Sequence, residues 1–189
     1  MGTTMEQVKA FMDKHEFKYR VDDERSVLLT GFATENYKDA DGEHHLRVVI
    51  KLDEDGEYLA LFVPKTYVCR PDHPSARAVL ETAARMHWSR KLICWEYDHH
   101  DGEVRACVHL PLEDSLLTHR QFHRCLHGLI DLVDTSYAQF GHALDTGTCL
   151  DTDAAESLDP AAPPAGKPRR RPGRKPGPTP APADIGLGE

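Results

Sequence analysis

"CWEYDHHDGEVRAC", residues 94–107, has a cysteine at each end and two adjacent histidines in its middle. Cysteine and histidine are the usual ligands of structural zinc, so the stretch first suggests a metal centre. Its alternation says otherwise. Ile93, Trp95 and Tyr97 alternate with Cys94 and Glu96; Val104, Ala106 and Val108 alternate with Arg105 and Cys107. A period of two marks half-buried strands. With residues 99–102 as the turn, Tyr97 faces Val104, Trp95 faces Ala106 and Ile93 faces Val108 on one apolar side. On the other side Glu96 faces Arg105, an opposite-charge pair, and Cys94 faces Cys107. Cys94 and His99 are then about 16 Å apart at ~3.3 Å per residue. Zinc ligands must stand ~2.0–2.3 Å from the ion. The stretch reads as a β-hairpin with two reduced thiols side by side, and no metal or cofactor is expected there.

The neighbouring segments extend this reading. Residues 75–90, "SARAVLETAARMHWSR", read as a helix begun at Ser75 or Asp72, with Ala76, Val79, Leu80, Ala83, Met86 and Trp88 toward its apolar side. Thr118 opens a long helix over residues 118–144, striped by Phe122, Leu126, Leu129, Val133, Tyr137 and Phe140. Toward the N-terminus, "FKYRV" and "RSVLLTGFAT" read as strands around "DDERS", and "HHLRVVIKL" and "EYLALFVPKTYV" as strands around "DEDG". "NYKDADGE" is a turn. Residues 4–16 read as a helix capped at Thr3 or Thr4, each with Glu6 or Gln7 three places on. The order is α-β-β-β-β-α-β-β-α. It predicts an α+β fold, an antiparallel sheet with helices packed on one face.

Composition breaks near residue 150. Residues 151–189 have no aromatic residue and are rich in Pro, Ala, Gly and charge. Such a segment cannot bury enough apolar surface to offset the entropy of ordering, so a folded domain over 1–150 and a disordered tail over 151–189 are expected. The tail's six acidic and six basic residues cancel, which leaves the chain's whole formal charge of −8 on the domain. That sign argues against nucleic-acid binding by the domain, because phosphate contacts need concentrated Lys and Arg. Five cysteines without a CxxC pair, and an N-terminus without an apolar signal core, point to a cytoplasmic protein with reduced thiols.

The remaining chemical motifs are sparse. His119, His123 and His127 recur at every fourth position and form a row on the last helix, beside its apolar stripe. Two of them could grip a metal, but the metalloprotease pattern needs Glu where Arg120 stands. The row reads as a polar flank of imidazoles able to respond to pH. The acidic clusters do not fit the twelve-residue calcium loop and read as turns. Neither a GxSxG serine nor a phosphate-cradling glycine loop occurs, so no catalytic residue is expected. In the tail, "RRRPGRKPGP" offers Arg169, Arg170, Arg171, Arg174 and Lys175 as candidate nucleic-acid contacts in an A·T-rich minor groove. It is similar to an AT-hook, although the order Pro172-Gly173-Arg174-Lys175-Pro176 departs from that motif's Arg-Gly-Arg-Pro core.

Over roughly residues 5–145, "FKYRVDDE", "LDEDGEYL" and "DGEVRACVHLPLEDSLLT" resemble the YbjN family, named as bacterial sensory transduction regulators. Met86-His87-Trp88-Ser89 stands where that family's second helix often meets an Asn-rich turn. The resemblance implies a fold like that of type III secretion chaperones. It also implies a non-enzymatic, chaperone-like or regulatory adaptor that binds another protein, often as a homodimer. The alternative is a DNA-associated regulator acting through the tail. A third class, metal-dependent hydrolase, would need the histidine row to hold metal.

Overall fold

Thr4 and Thr118 each open a helix by the same device. Thr4 Oγ1 accepts the Gln7 backbone N–H at 3.3 Å while the Gln7 side chain accepts the Thr4 N–H at 2.9 Å. Thr118 and Gln121 repeat the exchange at 3.2 and 2.9 Å. Each box satisfies two donors that the helix itself leaves unpaired. Thr3, the other candidate cap, is buried, and its hydroxyl instead accepts the Leu117 N–H at 2.8 Å.

The computed structural model describes residues 2–150, with Ser89 described by its backbone alone. The expected tail, and with it Arg169, Arg170, Arg171, Arg174 and Lys175, lies outside the described residues. In chain order the elements are α1 (Met5–Asp13), β1 (Tyr19–Asp22), β2 (Val27–Ala33), β3 (His45–Asp53), β4 (Tyr58–Val68), α2 (Ala76–Ser89), β5 (Ile93–Tyr97), β6 (Glu103–Pro111) and α3 (His119–Thr146). This is the expected order. A 3-10 turn, Glu54–Gly56, replaces the expected two-residue hairpin between β3 and β4. The α1 helix stops three residues earlier than its periodicity suggests, and Glu16 then takes a positive φ of 56°.

The strands form one antiparallel sheet ordered β1-β2-β3-β4-β6-β5. The β5–β6 register pairs Ile93 with Val108, Cys94 with Cys107, Trp95 with Ala106, Glu96 with Arg105 and Tyr97 with Val104, as the alternation requires. One side of the sheet carries Leu28, Ile50, Leu61 and Val108, and these join a single core with Val8 and Met12 of α1, Val79 of α2 and Phe122, Leu126 and Phe140 of α3. All three helices contribute to that one side. Each fully buried side chain of this kind contributes about 1.5–3 kcal/mol.

Two expectations on α2 fail. Leu80 is 39 % exposed and Trp88 is 92 % exposed, although both were placed toward the apolar side. The buried stripe runs through Ala78, Val79 and Thr82. Trp88 follows Val79 by nine positions, about two and a half turns at ~3.6 residues per turn, so it points away from the sheet.

The loop between β2 and β3 is more than a turn. The Asp134 carboxylate on α3 accepts the backbone N–H groups of Glu35 at 3.1 Å, Asn36 at 2.8 Å and Tyr37 at 2.9 Å. This clasp sets Tyr37 into the core, where its hydroxyl donates to the Thr66 carbonyl at 3.2 Å. At the β5–β6 turn, Gly102 holds a φ of +80°, and a Cβ there would lie 2.7 Å from the Arg70 backbone.

Candidate functional site

Side chains alternate across the sheet, so the face without helices carries a row running Leu29, Val49, Phe62, Cys107, Cys94 from β2 to β5. Val49 and Cys107 are buried and Leu29, Phe62 and Cys94 half-buried, although no helix covers them. Long polar neighbours do the covering. The Arg105 guanidinium sits 5.1 Å from the centre of the Phe62 ring. Arg105 Nε donates to Glu96 Oε2 at 2.6 Å, and Glu96 Oε1 meets His109 Nε2 at 2.9 Å. Burial alone would raise the Glu96 carboxyl, but hydrogen bonds from Arg105 and His109 outweigh it and hold the group below its usual range. The two thiols lie beside this bridge with sulfurs 3.0 Å apart. The hydrogen bond between the two thiols lowers Cys94 and, together with burial, raises Cys107.

The outer edge of the sheet carries a second feature. Among the described residues β5 is the outermost strand of the sheet, so one side of its backbone ladder has no strand partner there. Next to it, a groove of about 330 Å³ is lined by Val79, Leu80, Ala83 and His87 of α2 and by Trp95, Tyr97 and Val104 of the sheet. Leu80 at its rim is exposed, as are Trp88 on the outer side of α2 and Leu92, just before β5.

The histidine row is the third feature. The structure brings His15, after α1, against it, which sequence spacing did not show. His15 Nε2 lies 2.8 Å from His119 Nε2, with the rings stacked at 4.8 Å. His15 and His123 are 4.7 Å apart between ring centres, and His123 and His127 are 4.0 Å apart. Phe11 packs on His119, and Phe17 on His15 and His127. Desolvation first, then the neighbouring charges of Lys14, His15 and His123, hold His119 below its ordinary value. His127 is lowered likewise by desolvation, His123 and His15. The row is therefore part of the α1–α3 contact and not a free flank.

The hairpin histidines behave as the alternation implied. His99 and His100 sit in the exposed turn, where the His100 N–H donates to Asp98 Oδ1 at 2.8 Å. They are separated from the thiol pair by the length of β5. What the hairpin reading missed is Glu96 and His109 gathering over the same two thiols. The signal was present: His109 stands two places after Cys107 and Glu96 two after Cys94, so all four share a face.

Among the described residues, no helix is long and apolar enough to cross a membrane. No family model matches the chain, and no curated protein matches it. Among solved structures it is similar to the crystal structure of YbjN from E. coli, described as a candidate transcription regulator. The TM-score is 0.48 at 14 % identity, over 81 % of this chain and 93 % of that one.

Proposed function

We propose that the domain is a non-enzymatic protein-binding module, a chaperone-like or regulatory adaptor of a bacterial cytoplasm, and that α2 and the β5 edge receive its partner. One observation carries this reading: the edge of β5, unpaired among the described residues, runs beside an apolar groove with the exposed Leu80 at its rim, and exposed Trp88 adds apolar surface on the outer side of α2. An extended segment can add to such an edge through main-chain hydrogen bonds while its alternate side chains enter the groove. Exposed tryptophan is a favoured anchor at protein interfaces.

The test is affinity purification of the full chain beside two variants. In one, Leu80→Asp places charge on the groove rim and Trp88→Asp on the exposed outer side of α2. In the other, Arg169, Arg170, Arg171, Arg174 and Lys175 are replaced by Ala. The adaptor reading expects a stoichiometric protein partner that survives the tail changes and is lost with the rim changes. Binding that falls steeply with salt and vanishes with the tail cations would instead establish the DNA-associated alternative.

A further inference from the structure

The bare side of the sheet holds four metal-ligating side chains of three types within one small patch. Cys94 and Glu96 on β5, and Cys107 and His109 on β6, point to that side by alternation. Ligand atoms of Cys94, Glu96 and Cys107 all lie within 4.8 Å of one another. The two sulfurs are 3.0 Å apart, and His109 Nε2 is 2.9 Å from Glu96 Oε1. Around a tetrahedral zinc ion, bonds of ~2.0–2.3 Å set neighbouring ligand atoms roughly 3.3–3.8 Å apart. To reach that spacing the sulfurs need to part by roughly 0.7 Å, and His109, which joins the group through Glu96, has to close on the thiols.

We propose that Cys94, Cys107, Glu96 and His109 form a binding site for one zinc-type divalent cation. Two thiolates and an imidazole select a borderline-soft ion over magnesium or calcium, which take oxygen ligands. On binding, two S–H bonds break, two sulfur–metal bonds form, and two protons pass to solvent; the proton that His109 Nε2 offers Glu96 is exchanged through solvent to the unpartnered Nδ1, which frees Nε2 for the ion, and no electron moves. Glu96 Oε1 and His109 exchange their mutual hydrogen bond for bonds to the ion. Glu96 Oε2 keeps its bond to Arg105 Nε, now 2.6 Å.

Charge supports the assignment. Two thiolates and one carboxylate carry three negative charges, the ion supplies two positive ones, and Arg105 supplies the last. The filled site is neutral, as a half-buried face requires. His109 also carries a buried Nδ1 with no hydrogen-bond partner, so its contact with Glu96 is the ring's one hydrogen bond among the described residues. Arg105 acts as a positioning residue: it holds Glu96 from one side and is itself seated over Phe62. The ion would tie the edge strand β5 to β6. The site lies on the bare face, and its assignment does not depend on the partner reading above.

The full chain, reduced and stripped with chelator, is titrated with cobalt(II) and then with zinc(II). The expected result is one cobalt per chain with thiolate-to-cobalt charge-transfer absorption, abolished by zinc. Site-resolved alkylation should show Cys94 and Cys107 protected by zinc while Cys149 is unaffected. Cys94→Ser should remove the absorption, and Arg105→Gln should weaken binding by ~10–100-fold. His15→Ala with His119→Ala should leave it unchanged. Because Cys94→Ser alters a strand, the wild-type spectrum and the alkylation pattern decide by themselves if that variant misfolds. Absence of thiolate absorption, its persistence in folded Cys94→Ser, or loss of cobalt in the His15/His119 variant would each overturn the assignment.

Discussion

Replacing Asp134 by alanine removes one carboxylate and strands three backbone donors. Tyr37 N–H lies 2.9 Å from Oδ1 and is partly buried, while the Glu35 and Asn36 donors are exposed. A hydrogen bond to a charged group contributes about 1.5–3 kcal/mol. That figure applies only to Tyr37, because water re-forms most of the two exposed bonds and solvent screens a partly exposed carboxylate. The change should therefore cost about 1.5–2 kcal/mol, or roughly 3–8 °C in Tm for a domain of this size. Asp134→Asn keeps the Oδ1 acceptor and loses the charge and the exposed bond from Asn36 Nδ2 to Oδ2, so it should cost ~1 kcal/mol. Urea unfolding, followed by tryptophan fluorescence, measures both, with the midpoint moving and the slope constant. Burial would raise the Asp134 carboxyl, but backbone N–H groups of Tyr37, Asn36 and Glu35 hold it below its ordinary value of 3.8. Its contribution is thus complete above that value and is lost as pH falls through the lower folded value. The wild-type advantage over Asp134→Ala should shrink in strong acid. A cost under ~0.5 kcal/mol for Asp134→Ala, or equal costs for the two variants, would refute the clasp as the device that seats Tyr37.

Three further outcomes are expected. His119 and His127 have folded values below the ordinary 6.5, so the folded state binds fewer protons than the unfolded one. Stability is then complete above that value and falls as pH drops through it; urea midpoints between about pH 8 and pH 5 should show this slope, reduced in His119→Gln. Gly102→Ala forces a side chain onto a φ of +80° and against the Arg70 backbone, and should cost ~1–3 kcal/mol by thermal melting. Phe140→Ala empties the space against Tyr67 and Trp95, whose rings lie 4.4 and 4.5 Å away, and should cost ~3–5 kcal/mol. Calorimetry or hydrogen exchange on the core amides would measure that loss.

The element order was legible because each segment of the domain carries its own period. The β5–β6 register followed from alternation alone, since a slip of one residue would have put Glu96 and Arg105 into the core and Trp95 outside. The helix starts were legible as local signals, with Thr3 and Thr4 left as alternatives for α1 and Thr118 as the opening of α3; the structure chooses Thr4 and adds the Gln121 half of the second box. Trp88 was misplaced because a hydrophobic residue near the end of a stripe was counted with it, whereas the helical angle puts it on the opposite side. The Asp134 clasp was not legible at all. It joins residues almost a hundred positions apart, and a lone aspartate on a helix surface has no local pattern that announces three backbone partners.

The same distinction governs the two clusters of chemistry-bearing side chains. For the histidine row, spacing on one helix gave His119, His123 and His127, but His15 arrives from another element and only the folded α1–α3 contact supplies it. For the thiol patch the information was already local. Once Cys94 faces Cys107, the period of two fixes Glu96 and His109 on the same side without any long-range contact. The hairpin reading tested His99 as the third ligand and rejected the metal on distance, which was sound for that residue. The ligands that suit the pair lie two places along each strand, on opposite sides of the thiols, and their long side chains reach back over the pair to meet at 2.9 Å. A β-hairpin thus disperses ligand types that are adjacent in sequence and gathers those that alternate. If cobalt binds this chain through thiolate, that rule, applied to residues 94, 96, 107 and 109, is the physical reason.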